Sequence, residues 1–338
     1  MNILIVRVSS LGDVIHNMPM VADIQRHFPD ARIDWVVEEA YTDLILLNRH
    51  VGRVIPVALR RWRKSLGDPV TRRQMRDFYR ELRREAYDIV FDTQGLIKTA
   101  LLMRMARLQP GGKRVGLANA TEGSGFEPVS RIFHTQSVPV GLHTHAVTRA
   151  RVVAAKALGY QLDAPADFAL DLPSAGDGLP DWLPTEKFAV FFHSTARDAK
   201  RWDLKNWIEL AKECARRGLL VLLPWGNEAE RVISEELAAQ IPNARVLPPL
   251  ALTETVVLVQ HATLVVGLDT GLTHVAAAYA RPTIELYCDS PRWKTQGDWS
   301  PNIINLGDLA TPPGVAQVRV AMTTLLGAPD TDRSGILC

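Results

Sequence analysis

Cysteine is nearly absent from this chain. Only Cys214, Cys288 and Cys338 occur among 338 residues. An odd number with no CxxC pair predicts neither a disulfide scaffold nor a metal cluster, and it fits a reducing compartment. Long hydrophobic runs are missing too. The apolar stretch at 3–6 is too short for the core of a secretion signal, and no later run reaches the roughly 20 residues that span a bilayer. An excess of one charge is also lacking. The 39 Lys and Arg against 37 Asp and Glu leave a formal +2. That balance gives no global argument for nucleic acid, and no helix-turn-helix, zinc-finger or RNA-binding signature occurs. The fingerprint GxGxxG is absent as well. What is present is 47% hydrophobic and 22% charged residues, the composition of packed cores, in a length that favours two domains.

Short apolar runs alternate with helical patterns. Strands are expected at 3–8, 33–37 and 88–91, with helices at 19–28, 98–108 and 145–158. The segment 170–184 is dense in Pro, Gly and Asp and reads as a linker. A second series follows, with strands at 188–192, 219–223, 264–268 and 283–287 and helices at 204–217, 228–240 and 272–279. This rhythm predicts an α/β chain of two doubly wound, Rossmann-like domains. Their expected bounds are 1–170 and 186–327, with a linker at 171–185 and a tail at 328–338.

Ligands in such sheets gather at the carboxyl ends of strands. After the first strand, Ser9, Ser10 and Gly12 allow a tight turn with exposed N–H groups, a candidate anion nest. Asp13 ends it, either as a helix N-cap or as a general base for a hydroxyl nucleophile. Glu38 and Glu39, after the second strand, are the next candidates for a base. RRWRK, residues 60–64, sets four cations around one tryptophan outside any clear helical repeat. It suits phosphates or carboxylates of an anionic acceptor, or an acidic membrane surface. On a helix, Arg72, Arg76, Arg80, Arg83 and Arg84 would share one face and Met75, Phe78, Tyr79 and Leu82 another.

In the second series, Ser194, Thr195 and Lys200 follow a strand and can serve a diphosphate. Trp225 and Gly226 can border a base, and Glu228 or Glu230 can accept from ribose hydroxyls, though both also suit a helix N-terminus. Thr270 and Gly271 open a helix in an anion-binding arrangement. His274 would lie one turn further in, as a phosphate contact or a buried core histidine. Asp269 has an N-cap as its plainer reading.

Five segments, SSLGDVIHNMP, WVVEEAY, VIPVALRRWRK, DTQGLIKTA and GLDTGLTH, together resemble the ADP-heptose:lipopolysaccharide heptosyltransferase family of GT-B glycosyltransferases, in order and through nearly the whole chain. The resemblance implies two Rossmann-like domains facing each other across a cleft, the first binding the acceptor and the second the donor. It implies inverting transfer of L-glycero-D-manno-heptose from ADP-L-glycero-β-D-manno-heptose to the inner 3-deoxy-D-manno-octulosonic acid (Kdo) of Kdo-lipid A. The product would be the α-1,5-linked first heptose of the lipopolysaccharide inner core. RRWRK favours the branch of the family that adds this first heptose. The alternatives are the branch that adds the second heptose and another related nucleotide-sugar transferase.

The resemblance also implies roles for residues. Asp13 matches the general base, and Lys200 the cation that stabilises the departing diphosphate. Thr195, Ala196, Lys200, Glu228, Asp269, Thr270, Gly271 and His274 match the donor site, with Ala196 standing where the family carries a second Thr. Ser10, Gly12, Arg60, Arg61, Arg63 and Lys64 match the acceptor side. No metal and no cofactor are expected. The expected partners are ADP-heptose, Kdo-modified lipid A and, peripherally, the cytoplasmic face of the inner membrane of a Gram-negative bacterium, with the protein a monomer. A sugar-binding protein without chemistry, or a nucleotide-sugar epimerase, would use the same two α/β domains.

Overall fold

A computed structural model describes residues 1–173 and 179–328. The chain divides into two units, Met1–Asp171 and Leu172–Cys338. Within the expected linker and tail, 174–178 and 329–338 lie outside the described residues, and Cys338 with them.

The first unit runs β1 (Asn2–Val6), α1 (Leu11–His27), β2 (Arg32–Glu38), α2 (Thr42–Leu46), β3 (Val51–Val57), α3 (Leu59–Trp62), α4 (Pro69–Leu82), β4 (Ala86–Asp92), α5 (Ile97–Met105), β5 (Arg107–Leu117), β6 (Gln136–Val138) and α6 (Ala146–Leu158). The second runs β7 (Phe188–Phe192), α7 (Leu204–Arg216), β8 (Leu220–Leu223), α8 (Glu228–Ala238), β9 (Ala244–Val246), α9 (Leu252–His261), β10 (Leu264–Leu268), α10 (Gly271–Ala278), β11 (Thr283–Tyr287), β12 (Ile303–Gly307) and α11 (Val315–Leu326). Each unit holds one six-stranded sheet, in the orders β3-β2-β1-β4-β5-β6 and β12-β11-β10-β7-β8-β9. Every strand pairing is parallel.

The central strands explain why the chain folds this way. FAVFF of β7 and LVVGL of β10 are buried throughout, and β1 is buried from Ile3 onward. Continuous apolar strands need cover on both faces, and crossover helices supply it. In the second unit, the Trp207 ring lies 5.0 Å from Phe191 and 5.1 Å from Trp202, centroid to centroid. Burial of each such side chain contributes about 1.5–3 kcal/mol.

The two sheets share a topological reversal. β1 pairs with both β2 and β4, and β7 with both β8 and β10. The loops leaving the carboxyl ends of β1 and β4 therefore diverge, as do those of β7 and β10, and such a reversal is where open α/β sheets place their ligands.

Three sequence expectations need correction. The first helix begins at Leu11, not at Pro19, so Pro19 lies inside it. Ser10 is its N-cap, and the Asp13 carboxylate accepts the Ser10 N–H at 3.1 Å, which nucleates the helix upstream. The helix expected to reach 108 ends at Met105, because β5 starts at Arg107. That strand was hidden by its Pro-Gly-Gly. The register with β4 jumps from Tyr87↔Leu108 to Ile89↔Lys113 and carries those residues outside the ladder. On α4, Phe78 and Leu82 are buried with Thr71, whereas Met75 and Tyr79 are exposed. Among the described residues, no helix is long and apolar enough to cross a membrane.

Candidate functional site

Each unit presents a polar cluster at its topological reversal. In the first unit, Arg7 leaves β1 and is buried to 3% exposure. Its Nη1 donates to the Thr93 carbonyl at 2.7 Å, which ties the β1 loop to the β4 loop. A second tie is the Val8 N–H, which donates to the Gln94 side-chain oxygen at 3.2 Å. The other arm of Arg7 pairs with Asp13 Oδ1 at 2.7 Å, and Arg149 Nη2 stands 3.9 Å from the same oxygen. Asp13 occupies the third position of α1, and its Oδ2 also accepts the Ser10 hydroxyl at 2.9 Å. The N-cap is thus Ser10 and not Asp13, and Gly12 lies in the first helical turn instead of a loop.

The Asp13 side chain keeps 37% exposure. Burial pushes its pKa up, but Arg7, Arg149 and the Ser10 N–H outweigh this and hold the carboxyl well below the usual carboxylate range. It is ionised at any neutral pH.

Asp92, at the end of β4, is fully buried and shapes the adjoining turn. Its Oδ1 accepts the N–H groups of Gln94 at 3.0 Å and Gly95 at 3.1 Å, and its Oδ2 accepts the Thr99 hydroxyl at 3.1 Å. Burial pushes its pKa up to about 6 against these donors. The turn needs Gly95, whose φ of 73° is left-handed.

RRWRK is anchored by its tryptophan. Trp62 is buried, packs against Phe78 at 5.7 Å and donates to Gln74 at 3.1 Å. Contrary to the expectation from sequence, Leu59–Trp62 forms a short helix. Arg61 is tied to Glu39 at 2.8 Å and to Gln74 at 2.7 Å, while Arg60, Arg63 and Lys64 are exposed. Glu38 is 5% exposed and accepts the Arg60 N–H at 3.2 Å. Both alternative bases are therefore engaged elsewhere.

In the second unit, His193 follows β7. Its Nε2 lies 2.9 Å from the Ser234 hydroxyl and its Nδ1 3.1 Å from the Ser194 hydroxyl. Burial pushes its pKa down to about 4, so it braces the loop as a neutral ring. Ser194 and Thr195 are half-buried and Ala196 is exposed. Lys200 closes this loop and forms an ion pair with Asp269, from the β10 loop. This pair joins the two strand ends across the reversal, as the Arg7–Thr93 bond does in the first unit.

Thr270 is the N-cap of α10, which displaces Asp269 from that role. The Thr270 hydroxyl makes no cap bond, which leaves the first-turn N–H groups of α10 uncapped by a side chain. His274 is buried and held at both ring nitrogens, Nε2 at 3.1 Å from Asp269 Oδ1 and Nδ1 at 3.0 Å from Glu285 Oε1. In this arrangement it has no N–H to spare for a phosphate. Burial would lower its pKa, but Glu285 and Asp269 prevail and push it up to about 10. Burial raises and His274 with Lys200 lowers the Asp269 pKa, with a net effect well below the usual range.

The two candidate ribose partners separate. Glu230 reaches back to the Gly226 N–H at 2.8 Å, with Asn227 as the N-cap of α8. Glu228 is exposed at the helix start and held by Arg231 at 2.9 Å. Among the described residues, no group of three or more His, Cys, Asp or Glu could hold a metal ion.

Sequence reasoning missed Arg7, Arg149, Asp92 and Glu285. Three of them leave the same signal, a charged residue inside or at the end of an apolar strand: IVRV, IVFD and TIELY.

The sequence profile of glycosyltransferase family 9 (heptosyltransferase) matches residues 75–321. Over 288 residues the chain is 40% identical to lipopolysaccharide heptosyltransferase 1 of Pseudomonas aeruginosa, covering 85% of this chain and 78% of that one. It is 38% identical to lipopolysaccharide heptosyltransferase 1 of Escherichia coli K12 over 290 residues, 85% of this chain and 88% of that one. The structure of E. coli heptosyltransferase WaaC with ADP superposes with a TM-score of 0.81 at 33% identity, covering 95% of this chain and 98% of that one.

Proposed function

From the premise that this chain belongs to glycosyltransferase family 9, the heptosyltransferases, we propose that it moves L-glycero-D-manno-heptose from ADP-L-glycero-β-D-manno-heptose to the inner Kdo of Kdo-lipid A. The product carries the first inner-core heptose in α-1,5 linkage. The observation that carries this reading is the 40% identity to a lipopolysaccharide heptosyltransferase 1 across 85% of the chain.

The first unit serves the acceptor. The Kdo hydroxyl oxygen attacks the anomeric carbon on the face opposite the leaving ADP, which turns a β donor into an α product. The carbon–oxygen bond to ADP breaks with its electron pair, and the hydroxyl proton passes to Asp13. A carboxylate with so low a pKa is a weak base for a ground-state alcohol. It suffices here because the hydroxyl becomes strongly acidic as its oxygen bonds to the anomeric carbon. Arg7 holds the carboxylate ionised and aimed. Ser10 and Gly12 border it, and Arg60, Arg63 and Lys64 offer free cations to the acidic sugar and lipid phosphates. Arg61 acts mainly through Glu39, as a brace for that segment. The basic loop meets its lipid substrate peripherally, at the cytoplasmic face of the inner membrane, with the protein a monomer.

The second unit serves the donor. Lys200 and the first-turn N–H groups of α10, at Thr270 and Gly271, balance the charge that grows on the departing diphosphate. These groups take the part that a metal ion plays in other transferases. Thr195 adds a hydroxyl, Ala196 supplies only its backbone, and Glu228 accepts from the ribose. Asp269 and His274 act through Lys200.

The test is transfer to two acceptors, Kdo-lipid A and Kdo-lipid A already carrying one heptose, with the linkage read by NMR. Heptose added only to the first, in α-1,5 linkage, is expected. Exclusive use of the second would reassign the chain to the next step of core assembly. ADP-heptose turnover without an acceptor would point to an epimerase, and donor binding without turnover to a binding protein.

A further inference from the structure

Glu285 sits in the middle of β11, a strand buried over its full length, and has 0% exposure. A carboxylate in such a place needs compensation at both oxygens. Oε1 faces His274 Nδ1 at 3.0 Å. Oε2 accepts the Tyr287 hydroxyl and the Gly297 N–H, each at 2.9 Å. On the other side of the ring, His274 Nε2 faces Asp269 Oδ1 at 3.1 Å, and the same oxygen accepts the Thr295 hydroxyl at 3.0 Å. Asp269 Oδ2 then pairs with Lys200. From the strand core to the surface the groups alternate in charge: Glu285, His274, Asp269, Lys200.

A neutral imidazole has one N–H and would turn a lone pair toward one of its two carboxylates. Carboxylates at both nitrogens therefore call for the doubly protonated ring. We infer that Glu285 is a positioning residue of the donor half-site: by holding His274 as an imidazolium it balances Asp269 from behind, so that Asp269 orients Lys200 without claiming its whole charge. Lys200 has three N–H groups, and its bond to Asp269 Oδ2 leaves others for a diphosphate. Without Glu285 the ring reverts to one proton, Lys200 becomes the sole cation on Asp269, and the diphosphate has to compete with that pair. This inference rests on the donor role proposed for Lys200.

The titratable groups around the ring are Asp269 and Glu285 and, one step further, Lys200 and Tyr287. Two measurements test the chain. The first is the 15N shift of the His274 ring in the wild-type protein without ligand. A doubly protonated ring through pH 8.5 is expected, and a neutral ring at pH 7.5 would overturn the inference without any variant. The second compares wild type with Glu285→Gln. The variant's ring should titrate near neutrality, and its kcat/KM for ADP-heptose should fall about tenfold between pH 6 and 8.5. The wild-type kcat/KM should stay flat over that range. A variant kcat/KM as flat with pH as that of wild type would overturn the positioning role. Where Glu285→Gln fails to fold, the wild-type ring decides. An unchanged ADP dissociation constant in Lys200→Ala, with the imidazolium intact, would instead remove the donor reading and the purpose assigned to the chain.

Discussion

The two units use one strand order for opposite electrostatic ends. At the reversal of the first sheet, a buried arginine holds a carboxylate that stays 37% exposed. At the reversal of the second, the carboxylate is only 9% exposed and a lysine stands at its outer side with 16%. The first cluster displays an anion braced by cations, and the second a cation braced by anions. That contrast suits a reaction in which one partner gives up a proton and the other leaves with negative charge. Equal folds thus do not imply equal sites. The polarity is set by which member of the ion pair the backbone buries.

The sharpest way to break this comparison is Asp13→Asn. Asparagine keeps the shape and still accepts the Ser10 N–H, but it takes no proton. Turnover at saturating donor should fall roughly 10²–10⁴-fold while the ADP dissociation constant stays unchanged. The Arg7 pair adds a second effect. Loss of the charge leaves a buried guanidinium uncompensated, and stability should fall by about 1–2 kcal/mol, a value discounted for the partial exposure of Asp13. Single-turnover transfer at matched donor saturation together with urea denaturation reads both. Transfer within a few-fold of wild type would end the general-base role.

The mirror experiment is Lys200→Ala. ADP affinity should drop about 10–150-fold, the equivalent of about 1.5–3 kcal/mol for a charge-assisted contact, by calorimetric titration. Asp269 keeps His274 and Thr295 as partners, so the unit should stay folded. If ADP binds the variant as it binds the wild type, the second reversal is not a diphosphate site.

A smaller effect is expected at the basic loop. Arg60, Arg63 and Lys64 changed together to Ala should raise the acceptor KM several-fold and flatten its salt dependence. Arg61→Ala alone should act more on stability, because its partner is Glu39. A collapse of donor affinity in the triple variant would assign the cluster to the wrong substrate.

The mildest test is the pH dependence of stability. His274 has its pKa raised to about 10 from an ordinary 6.5. Its contribution is complete below pH 6.5 and is lost as pH rises through 10. Asp13 and Asp269 are depressed, so theirs is complete above the ordinary 3.8 and is lost as pH falls below it. The urea midpoint should therefore decline as pH rises from 6.5 toward 10, read by far-UV circular dichroism. A midpoint that does not move over that interval would argue against a buried imidazolium.

The strands with uninterrupted apolar runs were legible in the sequence, because β1, β7 and β10 must be covered on both faces whatever surrounds them. The edge strand β3 was not: it carries Gly52, Arg53 and Pro56, which an edge tolerates and a central strand does not. Nor was β5, one place in from the other edge, which hides behind Gly111 and Gly112. At the site, Asp13, Lys200 and Asp269 stood out because polar residues cluster after strands. Their partners did not. Arg7 follows the end of β1 and Glu285 sits inside β11, where only the fold shows what neutralises them, and the pairing of Lys200 with Asp269 joins residues 69 positions apart.

The Ser10–Asp13 contact has a consequence for genetics. The carboxylate proposed to take the proton also nucleates α1, whose buried face runs from Val14 to Ile24. Reactivity and abundance are therefore not independently selectable at this codon. An allele that removes the side-chain oxygens altogether, such as Asp13→Ala, also frays a principal helix of its unit, and the cell would carry less of the protein as well as a slower one. A growth screen for loss of function would return the same phenotype for a dead site and for a depleted pool. Only alleles scored for transfer per folded molecule would tell the two apart.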